Sequence, residues 1–520
     1  MVSAQSPLLA GDVASVRAAL LRLDEPFFLV RTPGGLAVGN DPAAARGAQV
    51  LAAVPPGRPE ALGDEAFRRA HGVRSAYMAG AMANGIASAE MVIALARDGI
   101  LASYGAAGVL PARVDEALGE ISRRAPGKPF ACNLIHSPSE LAMERATVEL
   151  CLRHQVRCIE ASAFMSLTPQ VVHYRLAGLV AREGRVIAEN KVIAKVSRAE
   201  VAELFLRPAP EAMVRGLVAA GLVTAEQADL ARRMPMADDI TAEADSGGHT
   251  DRRPLTVLVP ELLALRDRIQ AELGYAEPVR IGAAGGIGTP TAAFAAFALG
   301  ASYVVTGSIN QASVEAAQSD STKQLLVTAG TADCAMAPSA DMFEMGVEVQ
   351  VLKRGTMFAA RAKQLYETYR AYDGIDAIPA AERLGLEQRV FQRTLDEVWE
   401  GCVGYFTERD PEQLARAERD PKRKMALIFR WYLGLSSAWS IAGAPDRATD
   451  YQVWCGPAMG GFNAWAAGSY LAPARNRQVA ELAAQIMRGT AVAARVHSLR
   501  LAGARLPAAA CAYLPTPLEG

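Results

Sequence analysis

The chain has 520 residues, more than one hydrophobic core usually organises, so a large domain with one or two appendages is expected. Its 54 Lys and Arg against 55 Asp and Glu leave a formal charge of −1, without the basic excess of a nucleic-acid-binding protein. Seven scattered cysteines without a CxxC, no histidine at metal-ligand spacing, no signal-type N-terminus and no run of about 20 apolar residues point to a reduced, cytoplasmic protein with no metal site and no membrane span.

Residues 1 to about 70 read as a small N-terminal cap, with a hairpin made of Pro26-Phe27-Phe28-Leu29-Val30-Arg31, a Gly-rich turn and Leu36-Ala37-Val38-Gly39. Eight short apolar runs of strand type follow, at 76–78, 101–104, 130–134, 158–161, 192–196, 240–243, 279–283 and 303–306. Segments 88–97, 111–123, 139–154, 169–182, 260–273 and 289–299 return apolar residues every three or four positions and are expected helices. Strand-helix alternation demands a parallel sheet, and eight units predict closure into a (β/α)8 TIM barrel over 71–320, with an open doubly wound sheet as the rival. A helical insertion at about 198–238 delays the sixth strand. From 321 to 520 the pattern is mainly helical, with candidate helices at 358–372, 384–406, 411–419, 424–439 and 477–488. All five tryptophans fall there, so a C-terminal helical substrate or lid domain is expected.

The seventh strand runs into Gly285-Gly286-Ile287-Gly288-Thr289-Pro290 and the eighth into Gly307-Ser308. Either glycine segment alone is a plain tight turn or a phosphate loop. Thr289 and Pro290 form an N-cap and N1 pair that aims a helix dipole at the first loop, and two such loops one strand-helix unit apart match the phosphate site of many barrels. Flavin mononucleotide, FMN, is the cofactor they point to. Gly80, Ala81 and Met82, after the first strand, offer an apolar backbone to a flat ring. Asn133 is an amide in an apolar strand, suited to a ring edge or to a hydrogen bond within the protein. Lys195 either faces negative charge on a reduced flavin or pairs with Glu160 or Glu243. After the sixth strand, Ser246, Gly247 and Gly248 allow close backbone approach, and His249 is either an acid–base group at the barrel rim or a solvated loop residue. His136 reads as a cap on the third strand.

The segments 77–85, 246–249, 284–288 and 306–308, with Asn133, resemble the nitronate monooxygenase superfamily of FMN-dependent barrels. The further segments 307–311, 341–346, 351–355, 421–434 and 456–460 resemble the trans-acting enoyl reductases of polyketide and polyunsaturated fatty-acid synthases, over roughly residues 20 to 500. The resemblance implies NADPH (or NADH) as reductant, FMN as carrier and a hydride passed to the β-carbon of a 2-enoyl thioester on an acyl carrier protein. By position His249, then Lys195, are the candidates for proton supply or polarisation of the thioester carbonyl, with solvent as the other proton source. A synthase is the implied partner, and a homodimer is a family-level expectation. Ala161-Ser162-Ala163-Phe164 departs from the nitronate monooxygenases, which usually carry a histidine after the fourth strand. A nitronate monooxygenase-like oxidase and a non-catalytic synthase scaffold are the alternatives. Met336, Met342, Phe343, Met345, Met357 and Phe358 are either acyl-chain lining or ordinary core, and Arg419, Lys422, Arg423 and Lys424 either a carrier docking patch or solvated helix ends.

Overall fold

The structure, a computed structural model, describes residues 9–10, 12–136 and 141–518. The N-terminal residues 1–8 and the first two positions of the expected helix 139–154 lie outside the described residues. The chain forms two compact units, one comprising residues up to Ala244, Arg253–Ala316 and Trp465 onward, the other Asp245–Arg252 with Ala317–Ala464.

The first unit is built on a closed barrel of eight parallel strands: β1 (Tyr77–Ala79), β2 (Leu101–Tyr104), β3 (Ala131–Ile135), β4 (Cys158–Ser162), β5 (Lys191–Val196), β6 (Asp239–Glu243), β7 (Arg280–Ala284) and β8 (Val304–Thr306). They follow one another around the barrel in chain order, and Val304 opposite Tyr77 and Val305 opposite Met78 close it. Nearly every strand residue is buried, because a parallel strand inside a ring of helices is covered on both faces. That is why the sequence shows continuous apolar runs, and all eight expected strands are present. Gly282 leaves the room that the Tyr303 ring occupies: a β-carbon there would lie 2.3 Å from Tyr303 Cζ. At the amino ends of β6 and β7, Asp239 is fully buried, paired with Arg280 at 2.6 and 2.9 Å and with His71 Nε2 at 2.7 Å.

Three helices, Ala199–Leu206, Glu211–Ala219 and Ala225–Ala231, fill the expected insertion between β5 and β6. Two expected helices of this unit differ from the structure. The expected helix 169–182 stops at Ala177; Leu179–Arg182 then pairs antiparallel with Arg185–Ala188. Glu183 and Gly184, both at positive φ, make the two-residue turn that favours a hairpin. The helix expected from Pro260 begins at Leu255, with Pro260 inside it: a proline that reads as a helix start lies just beyond the first turn.

The N-terminal cap is a four-stranded antiparallel sheet, in spatial order Leu9–Ala10, Gly35–Gly39, Phe27–Thr32, Gln49–Val54, with the helix Val13–Leu21. Its core is completed from the far end of the chain: Val16, Leu20 and Phe27 pack with Val492, Val496 and Leu499 of the helix Val479–Leu501. Arg495, 2% exposed, donates to the carbonyls of Leu20, Arg22, Leu23 and Glu25, where the cap helix ends. The same helix reaches the barrel, with Thr490 Oγ1 3.2 Å from the Pro290 carbonyl. Residues 465–518 thus cluster with the barrel, and Trp465 donates to the Tyr513 carbonyl at 3.0 Å.

The second unit has a three-stranded antiparallel sheet, Gly248–His249 beside Glu348–Leu352 beside Cys334–Pro338, and the helices Phe358–Ala371, Ala380–Leu386, Leu395–Arg409, Pro411–Arg419 and Pro421–Ala442. Phe343, Phe358, Phe391, Phe429 and Tyr432 anchor its core. The continuous helix expected at 384–406 is broken: a π-type turn at Glu387–Phe391 ends at left-handed Gln392, and Thr394 with Glu397 forms a capping box that starts a new helix. Among the described residues no helix is long and apolar enough to cross a membrane. Nor is any group of three or more His, Cys, Asp or Glu among them arranged to hold a metal ion.

Candidate active site

In the barrel unit, the loops after the strands hold most of the residues singled out from the sequence. After β7, Gly285 (φ 89°) and Gly286 (φ 72°) are consecutive left-handed residues. Nothing lies within 4 Å of a β-carbon built on Gly286, so backbone conformation, not space, requires glycine there. Thr289 accepts from the Ala292 amide at 3.2 Å and Pro290 opens a nine-residue helix, an arrangement that could take an anion. After β8, Gly307 has φ −127° and needs no special freedom; Ser308 begins a 3₁₀ turn to Ala312. These residues fit a phosphate-bearing cofactor.

After β1, Gly80 donates to the Thr306 carbonyl at 3.0 Å, and Ala81 to Glu160 Oε2 at 2.8 Å. A β-carbon on Gly80 would lie 2.9 Å from Val305 Cγ1. Both amides are committed inside the protein, so what Gly80, Ala81 and Met82 can present to a ring is surface. Across from Met82, a β-carbon on Gly105 would meet the Met82 carbonyl oxygen at 1.9 Å, which locks this loop to the one after β2. Asn133 is 4% exposed, and its Nδ2 donates to the Glu160 carbonyl and to Ser162 Oγ, each at 3.0 Å. Its two donors are spent, and Oδ1 is left to accept from a ligand.

Lys195 on β5 lies with Nζ 3.0 Å from Glu243 Oε1 on β6. Burial disfavours its charge, but Glu243 and then Glu160 outweigh that and hold its pKa above the ordinary lysine value. Of the two expected carboxylate partners, the pairing with Glu243 is realised.

Ser246, Gly247, Gly248 and His249 leave the barrel unit directly after β6 and lie in the second unit. A β-carbon on Gly247 would sit 2.9 Å from the Cys455 backbone, and Gly248, at φ 83°, pairs with Gln350. Ser246 Oγ is buried without a hydrogen-bond partner among the described residues. His249 is exposed, its Nε2 3.1 Å from Ser339 Oγ and 3.2 Å from Asp341 Oδ1. Desolvation works to raise the Asp341 carboxyl, but the imidazole and the Ser339 hydroxyl outweigh it and draw the pKa down to about 2.

The sequence did not flag Asp341 or Ser339 as functional, nor a cluster after β3. There, His136 Nδ1 lies 2.9 Å from Glu144 Oε2, and the Thr168 hydroxyl donates to Glu144 Oε1. A carboxylate among the apolar positions of helix Leu141–Arg153 was the available signal. His154, by contrast, lies 2.5 Å from Asp115 Oδ1 on a neighbouring helix.

The basic docking patch is largely consumed within the second unit. Lys422 donates to the Tyr369 and Tyr372 carbonyls, Arg423 to Glu344 and Gln413, and Lys424 sits 5.1 Å over the Trp399 ring; Arg419 is exposed. Phe343 and Phe358 are fully buried core, whereas Met345 and Met357 are exposed.

A closed eight-stranded parallel barrel with two glycine-bearing loops after β7 and β8 is the class of fold to which the site residues belong. Residues 372–451 match the family described as the inserted helical domain of [acyl-carrier-protein] S-malonyltransferase. The chain is 46% identical over 513 residues to a polyunsaturated fatty acid synthase protein of Thraustochytrium sp., covering 96% of this chain and 34% of that protein. It is 45% identical over 438 residues to the polyketide biosynthesis protein PksE of Bacillus subtilis, covering 83% of this chain and 56% of PksE. It thus spans from about a third to just over half of these relatives. The crystal structure of the enoyl reductase domain of MlnA, from the macrolactin biosynthesis cluster of Bacillus amyloliquefaciens, superposes with a TM-score of 0.81 at 40% identity, covering 85% of this chain and 100% of that domain. The chain belongs to the family of this enoyl reductase domain.

Proposed function

We propose that the protein is an FMN-dependent oxidoreductase that reduces the 2,3 double bond of enoyl thioesters carried on an acyl carrier protein, with NADPH as reductant. The observation that carries this reading, beside family membership, is the pair of left-handed glycines that end β7 in front of a Thr-capped, Pro-initiated helix. FMN, when bound, supplies hydride transfer from the nicotinamide to the β-carbon of the substrate. Gly285, Gly286, Gly307 and Ser308 would hold its phosphate, Gly80 to Met82 would lie against its ring, and Asn133 Oδ1 would accept from a ring N–H. Lys195, neutralised in part by Glu243, sets the local charge. His249, held by Asp341 and Ser339, supplies the proton that must reach the α-carbon. The synthase membership of the relatives supports an acyl carrier protein as partner, and the chain acts in trans or as part of a larger synthase.

The test is anaerobic. Protein reduced with NADPH is mixed with a 2-enoyl thioester on a carrier protein, while flavin absorbance and acyl mass are followed. Reoxidation with a gain of two hydrogens is expected. Reoxidation by oxygen alone would instead favour a nitronate-type oxidase, and absence of flavin a scaffold.

A further inference from the structure

We propose that His136, oriented by Glu144, is a second functional imidazole of the barrel and that its Nε2 holds the carbonyl oxygen of the substrate thioester. The inference rests on the enoyl reductase reading. His136 directly follows β3, three residues beyond Asn133, at the end of the strands where barrels carry their chemistry. Its side chain is 13% exposed and that of Glu144 is 1% exposed. A carboxylate so buried needs partners for both oxygens, and it has them: Nδ1–H of His136 on one and the Thr168 hydroxyl on the other. Thr168 is in turn fixed as the cap of helix Pro169–Ala177, and the imidazole stacks on Phe164 with centroids 5.4 Å apart and planes at 27°. The ring is therefore held in position and plane by three separate elements. Stability alone is poorly served by such a trio, since buried ion pairs gain little over apolar packing.

One member of the cluster, Glu144, lines a cleft beside His136. Ala106, Gly108, Asn133, Glu144 and Thr147 line it, so the carboxylate that orients His136 and the amide assigned to the flavin ring share one wall. Nδ1 is committed to Glu144 and Nε2 has no hydrogen bond among the described residues; the role proposed takes a ring that carries a proton on Nε2 as well. As hydride arrives at the β-carbon and a C–H bond forms there, the π electron pair moves toward the α-carbon and the thioester oxygen. Nε2–H of His136 meets the negative charge growing on that oxygen. A proton added at the α-carbon then completes the two-hydrogen gain, and His136 keeps its own. His136 is thus the charge-stabilising group and Glu144 a positioning residue.

The test uses the flavin-loaded protein in anaerobic stopped flow, with each half-reaction followed separately. For His136→Gln, flavin retention and reduction by NADPH should stay within about twofold of wild type, while enoyl-dependent reoxidation falls about 100- to 1000-fold, as when an oxyanion donor is removed. Glu144→Gln should cost about tenfold alone and nothing further in the His136→Gln background, because it acts only through the imidazole. In flavin-free protein labelled with 15N-histidine, Glu144→Gln should shift the His136 Nδ1 resonance, a readout independent of turnover. Equal loss in both half-reactions, loss of flavin from His136→Gln, or an undiminished Glu144→Gln effect in the double variant would each overturn the proposal. If wild-type protein adds no hydrogen to the enoyl thioester, the enoyl reductase reading itself falls and takes this role with it.

Discussion

Asp239 shows how much a single buried carboxylate can carry. Burial raises its pKa, but the charges of Arg280 and His71 and their hydrogen bonds more than compensate, drawing it down to about 2. The folded value lies below the unfolded one, so this stabilisation is complete above the ordinary aspartate pKa and is lost as pH falls through about 2. The shift corresponds to roughly 2 kcal/mol. Asp239→Asn should lower unfolding stability by about 3–5 kcal/mol, since it strands the buried Arg280 cation, and should flatten the acid limb between about pH 4 and 2; denaturant titrations across that range measure both. The sequence marks Lys195 as an oddity because a cation interrupts an apolar strand. It cannot choose between Glu160 and Glu243, because that choice depends on strand register around the barrel.

Among elements, the helix Pro290–Ala298 links the glycine loop after β7 to the rest of its unit. Its first residue is braced by Gly489 and Thr490: a β-carbon on Gly489 would come within 2.5 Å of Pro290 Cγ. Gly286→Leu forces a left-handed conformation on a branched side chain, and Gly489→Val pushes the helix start. Both should weaken flavin retention at least about tenfold, read as flavin absorbance after gel filtration, with Gly286→Leu the more severe. A Gly489→Val protein that keeps full flavin would mean the helix start tolerates displacement. The strands themselves were legible because two-sided burial writes an uninterrupted apolar run. The Gly248–His249 strand was not, since two residues leave no period, and the break after Leu386 was hidden by apolar residues that continue the helical spacing through it.

At the scale of the molecule, the barrel unit is sewn together by residues nearly the whole chain apart. Helix Val479–Leu501 reads in sequence as one more amphipathic segment, and no local pattern tells which core it joins. Arg495 decides it, through four carbonyls of the N-terminal cap. Arg495→Met keeps the bulk and removes the donors. It should leave those buried carbonyls unpaired and raise hydrogen exchange across residues 13–30 at least tenfold, with little change across the second unit. The same arrangement imposes an order of events on the ribosome. Most of the second unit is one continuous stretch, 317–464, and can pack while synthesis continues, whereas the barrel unit lacks its last partner until the helix Val479–Leu501 has been made. The cap therefore waits for that helix while everything between them is made, and slowing translation after residue 464 should prolong dependence on chaperones for the nascent cap.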